Sequence, residues 1–426
     1  MTAEHDETAG ERRAWAWSAH LLDGGTTPWS RWAGTGERAG RVLPGAQQLE
    51  LLRRLNLATH ELGVRPEQEL ARRVLEASAP GRGRPDLELL GAAPLSRFGP
   101  EPVDPAGLPA DELVRVATNL LAEDLSAAPL PGPGPVSRLR RAPRPRPWRP
   151  RYRLVGDPWR ADATRRHLVA HGRPPGGPDP TVLVLGGPLS TMLVDLWTDR
   201  AFSTGGPVPS WRTWVDTVVE TGRLGRGADP VASARRWTAR VGADRVRVVL
   251  DPAALPGQVG VRRVPPAPRL PADAIDLARR VGSVLGLLVT PARGRQVLRQ
   301  VMLPRLLDAP APLPGSSPGP VLGVPPEHHR WLVRRSRRMR HELLAAPYPV
   351  VGTVLGSADA LLDHPRRLAG AEPGEPHDDR VLDLAVRMLL EHAEPHPGAH
   401  PGRHPGRHPH PHADHDPDRP RQEDRR

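Results

Sequence analysis

Apolar positions in the first third of the chain recur at helical spacing. In residues 46–62, Leu49, Leu52, Leu55, Thr59 and Leu62 fall on one side, the repeat of an amphipathic helix. Residues 66–77 open with a proline at a first-turn position, where no N–H is needed, and align Leu70, Val74 and Leu75. Residues 109–125 place Asp111 and Glu112 near the positive helix end and align Leu113, Val116, Leu120 and Leu121. GRGRP at 81–85 and PEPVDP at 100–105 break these elements apart. The pattern predicts a helical domain over 11–128, preceded by a disordered stretch at 1–10.

After residue 150 the pattern changes. TVLVL at 181–185 is a continuous apolar run, as in a strand buried on both faces, and RVRVVL at 245–250 reads as another strand. Residues 152–172, YRLVGDPWRADATRRHLVAHG, read as a short strand, a tight Gly-Asp-Pro turn and the start of a helix. Helices are predicted at 189–202, 210–222, 229–241, 272–287 and 326–346, then a short strand at 348–354 and a last helix at 378–391. Strand–helix alternation argues for an α/β fold with a mostly parallel sheet flanked by helices over 151–365, closed by a C-terminal helix within 366–393. Two tryptophan pairs, Trp29/Trp32 and Trp211/Trp214, stand three apart just after a cap-forming residue, and each is expected to pack one helix face.

Composition narrows the chemistry. All 60 basic residues are arginines and cysteine is absent. Ile, Asn, Phe and Tyr are also scarce, so coding bias accounts for the set better than function does. The consequence stands regardless: no lysine Schiff base, no lysine on a phosphate, no thiolate nucleophile and no disulfide. The polar start MTAEHDETAGERR lacks a signal peptide's apolar stretch, and no run reaches the roughly 20 apolar residues of a membrane span. A cytoplasmic protein is expected.

The net charge is +12, and eight arginines lie between Arg138 and Arg153 with no acid among them. Without them the balance is only +4. Residues 129–150 therefore read as a Pro/Arg-rich linker, and the run from Arg138 to Arg153 as a segment that could dock on nucleic acid or another anionic polymer. Only Trp148 and Tyr152 interleave it, too few for a base-stacking platform. His167 and His171 have helical metal-ligand spacing but no neighbouring carboxylate in an H-E-x-x-H arrangement, so no metal is assigned. The tail at 394–426, with His396, His400, His404 and His408 in Pro/Gly repeats, reads as disordered.

Four stretches in order carry a family resemblance: VGDPWRADATRRHLVAHG at 155–172, VLVLGGPLSTMLVDLW at 182–197, ARRWTARVGADRVRVVL at 234–250 and VPPEHHRWLVRRSRRMRHELLAAPYPVVGTV at 324–354. Together they resemble the bacterial sulfotransferases that use 3′-phosphoadenylyl sulfate (PAPS), a P-loop-like α/β family, over roughly half the chain. The resemblance implies a donor site following the first strand and its Gly156. The family's phosphosulfate-binding lysine falls at Trp159, and its hydroxyl residues at Asp162 and Ala163. Its arginine for the 3′-phosphate falls at Gly187, and the companion serine at Asp195. Every one of these positions departs from the family pattern, and Asp162 is expected to cap the helix end that would otherwise attract phosphate. Losing about three charge-assisted hydrogen bonds removes roughly 4–9 kcal/mol. Arg160 is the one loop residue suited to an anion.

Three functions follow as expectations: a non-catalytic, sulfotransferase-like ligand-binding or accessory protein with no cofactor; an active sulfotransferase gripping PAPS through Arg160 and backbone N–H groups; and a basic adaptor working through the Arg-rich linker.

Overall fold

The computed structural model describes residues 8–38, 42–63, 67–77, 86–92, 101–131, 151–203, 207–308, 319–351, 359, 362–363 and 374–393. The linker arginines up to Arg149 and the histidine-rich tail lie outside the described residues, as does GRGRP at 81–85.

Four helices come first: α1 (Ala9–Leu22), α2 (Ala46–Leu62), α3 (Gln68–Glu76) and α4 (Ala110–Ala127). Thr8 and Glu11 close a reciprocal capping box at the start of α1, satisfying two end donors at once. α2 stops at Gly63, which adopts φ +68°, a conformation that costs glycine little. The apolar faces behave as their spacing predicts, with Leu49, Leu52, Leu55, Leu70, Val74, Leu113, Val116, Leu120 and Leu121 all buried. Leu75 is half-buried, and Leu62 is 49% exposed in the last turn of α2.

Four strands follow, β1 (Tyr152–Gly156), β2 (Thr181–Leu185), β3 (Val246–Val249) and β4 (Val350–Val351), paired in parallel in the order β1-β2-β3-β4. Among the described residues the order never reverses, so these strands form no switch-point crevice of the kind that doubly wound folds use. Side chains alternate between its faces: Val182, Val184, Val246 and Val248 enter the main core, while Leu154, Leu183, Leu185 and Val249 enter a smaller one.

The connecting helices are α5 (Pro158–Ala170), α6 (Leu189–Ala201), α7 (Trp211–Thr221), α8 (Pro230–Val241), α9 (Leu255–Val259), α10 (Ala272–Leu288), α11 (Pro291–Val297), α12 (Leu303–Asp308) and α13 (His329–Leu344). A π turn, Leu298–Met302, joins α11 to α12, and α14 (Asp378–Ala393) follows β4. The protein is therefore mixed α/β with a small parallel sheet. One apolar core runs from Ala14 through Leu285 to Leu390, with α4 packed against α10 and α14. Among the described residues no helix is long and apolar enough to cross a membrane.

Trp211 and Trp214 share the buried face of α7 behind the capping Ser210, their rings 5.7 Å apart. The other pair departs from expectation. Trp29 is buried in a single 3₁₀ turn, while Trp32 has left it in extended conformation and stacks on His20 at 4.5 Å. Pro28 sets that turn, and no helix continues from it to give the pair a common face.

Candidate functional site

The sheet's carboxyl edge is organised by aspartates. β1 ends at Gly156 with φ +93°, and a Cβ there would stand 2.2 Å from the Leu185 carbonyl oxygen. Only glycine allows this close turn over the end of β2. The next residue, Asp157, donates its backbone N–H to that same oxygen at 3.0 Å. Its side chain then caps α5, accepting from the Arg160 N–H at 3.0 Å, with Pro158 preset in the first turn.

The device recurs after the other strands. Asp251, behind β3, accepts from the Ala253 N–H at 2.8 Å, again with proline following. Asp229-Pro230 caps α8 in the same way. Behind β2, Pro188 has no N–H to offer, and Asp363 arrives from far along the chain to cap α6. It accepts from the Ser190 N–H at 3.2 Å and from its hydroxyl at 2.5 Å. The helix or turn that follows each of β1, β2 and β3 thus has its positive end occupied by a carboxylate of the protein itself.

A cavity of about 740 Å³ opens over this edge, lined by Asp157, Arg160, Gly187, Asp195 and Arg269 among others, with Arg262 and Arg263 also on its wall. Asp157 and Asp195 are 2% and 3% exposed and hydrogen-bond to each other. Burial first, and then the Asp195 charge, pushes the Asp157 carboxyl well above the usual carboxylate range. Burial raises Asp195 as well, opposed first by Arg269, which donates to it at 2.8 Å. Two buried carboxyls side by side disfavour joint ionisation, while Arg160 and Arg269 oppose that effect.

Arg160 lies beside them. Its Nη1 donates to the Gly186 carbonyl at 2.8 Å, while its Nη2 is buried with no hydrogen-bond partner among the described residues. Burial lowers the Arg160 pKa, and Asp157, Asp195 and Asp251 counter it. The cavity therefore combines a carboxyl pair whose pKa values burial raises, one guanidinium with a spare donor, and arginines on its wall. That set can hold a small oxyanion by hydrogen bonds.

The residues singled out in the sequence divide into two groups. Arg160, Gly187 and Asp195 meet at the cavity, with Gly156 shaping its turn; the position of a Cβ on Gly187 is open, with nothing within 4 Å. Trp159, Asp162 and Ala163 do not line it. Trp159 is buried in the core, donating its indole N–H to the Pro268 carbonyl at 3.0 Å and packing on Phe202. Asp162 does not cap α5, as its place in the first turn suggested. It stands a turn too late, and Arg299 at 2.5 Å with Arg165 and Arg166 draws it to the helix flank.

Asp157, Arg269 and Asp363 were not singled out. The recurring Asp-Pro dipeptides at 157, 229 and 251 were the signal for the first of them. His167 and His171 sit with rings 4.1 Å apart, His171 Nδ1 on the His167 carbonyl. No cluster among the described residues has three His, Cys, Asp or Glu placed to hold a metal.

No family model matches the chain, and neither a curated protein nor a solved structure does.

Proposed function

We propose that this is a non-catalytic, sulfotransferase-like protein that binds a small anionic ligand in the cavity at the sheet's carboxyl edge and no longer accepts PAPS. The observation that carries the reading is Asp157 at the N-terminus of α5, hydrogen-bonded to Asp195. A nucleotide phosphate there would have to displace a carboxyl group and approach a second one, on a turn without lysine. Gly187, with open space where the family places an arginine, removes a second grip. The spare Nη2 of Arg160 and the wall arginines leave room for a smaller anion.

Calorimetry with PAPS, its desulfonated product and inorganic sulfate tests this. The expected result is no saturable binding of either nucleotide up to about millimolar, a scale of about 4 kcal/mol, and sulfate binding that is lost in Arg160→Ala. Saturable micromolar PAPS binding would overturn it. Such binding, if abolished in Arg160→Ala, would instead support the second reading, an active sulfotransferase that grips its donor through Arg160; the free Nη2 is the observation in that reading's favour.

A further inference from the structure

Helix α13 carries six arginines, and the fold employs two of them. Leu332, Ser336, Met339 and Leu343 form its buried stripe. Arg335 turns to Asp229, Arg340 pairs with Asp359 at 2.6 Å, and Glu342, the helix's one acid, is held by Arg235 of α8 at 2.9 Å. Arg330, Arg334, Arg337 and Arg338 remain. All four are exposed, and none has a carboxylate partner among the described residues. At 3.6 residues per turn they lie opposite the buried stripe, forming a row about 12 Å long with His341 continuing it. The adjoining α8 adds exposed Arg236, close enough to Arg240 and Arg226 to feel their charge.

We propose that the outward face of α13 docks on the phosphate backbone of duplex DNA. Unpaired guanidiniums at one-turn intervals match a polyanion of regular charge spacing, and the planar fork suits phosphate. The row contains no Phe, Tyr or Trp, so it offers single strands no broad aromatic platform. Its one exposed apolar neighbour is Leu344 in the last turn, too little to insert into a lipid surface. It also lacks Asn and Gln, the side chains that read adenine. The wide major groove of B-form DNA admits a helix, whereas that of duplex RNA is too deep and narrow. This inference is independent of what the cavity binds.

Fluorescence anisotropy of the full chain with a labelled DNA duplex, read between about 50 and 200 mM salt, is the test. The combined variant Arg330→Gln, Arg334→Gln, Arg337→Gln and Arg338→Gln should reduce the slope of log affinity against log salt by about 3–4, at about 0.9 per phosphate released. Replacing the same four by lysine should preserve the slope, and the unfolding midpoint of both variants should match that of the parent. An unchanged slope in the glutamine variant would overturn the proposal. So would tighter binding to duplex RNA or to phosphatidylserine vesicles, or loss of binding when residues 138–150 are deleted with α13 intact.

Discussion

The cavity at the sheet edge and the outward face of α13 are both rich in arginine, but their charges are in opposite condition. At the cavity, Arg160 faces Asp157, Asp195 and Asp251, and Arg269 donates to Asp195. On α13, four arginines stand in solvent with no ion-pair partner among the described residues. Counting cations would rank the two alike. What separates them is how much of each charge the fold has already neutralised: the buried guanidinium keeps one free donor for a small ligand, while the exposed row keeps its whole charge for a large one.

The largest expected effect tests the turn that creates the cavity side of this contrast. Gly156→Ala forces a side chain into a positive-φ position against the Leu185 carbonyl, and should cost about 2–5 kcal/mol in denaturant melts. Full tolerance of alanine would mean that the turn does not bring Asp157 to the helix end as described. Next in size, Asp157→Ala should lose about 1–2 kcal/mol with the cap, while Asp157→Asn keeps an acceptor there and loses far less.

The pH dependence sharpens the comparison further. Both cavity aspartates have pKa values raised on folding, so the native state holds protons that the unfolded chain gives up. Their contribution is intact below the unfolded value of about 3.9 and erodes as pH rises above it, until the folded pKa values are passed. Stability should therefore fall over that window in the parent and fall less in Asp157→Asn; equal slopes would mean that folding does not raise the Asp157 pKa. The smallest effect belongs to the exposed row. Arg337→Ala should change stability by no more than about 0.5 kcal/mol, whereas Arg269→Ala, half exposed but paired with a buried acid, should cost up to about 1 kcal/mol.

Elements with strong periodicity were legible in the sequence. The helix at 46–62 and the strand at 181–185 have the bounds their patterns indicate, and the helices near 189, 211, 230, 272 and 378 start within a residue or two of expectation. α9 and the α11–α12 run were not foreseen. Pro256 and Gly257 sit inside α9, and Pro304 with a π turn disturbs the second run, so neither shows a clean period. The predicted strand at 348–354 is reduced to the two residues of β4 among the described residues.

Less of the site could be read. The Gly-Asp-Pro turn and Arg160 were visible because they are local. The partners that define the chemistry are not: Arg269 reaches Asp195 across 74 residues, and Asp363 reaches Ser190 across 173. Nothing in the local pattern marks such pairs. The arginines of α13 were plain in the sequence, but the four left unpaired emerge only once Asp229 and Asp359 have claimed the other two.

The seating of α4 against α10 and α14 has a consequence for how the chain is held together. The apolar faces of the N-terminal helices are completed by helices that come more than 100 residues later. Covalent continuity through the arginine-rich stretch between residues 131 and 151 is thus redundant once folding is done. A chain cleaved there should stay together as two fragments along the apolar seam of α4, α10 and α14.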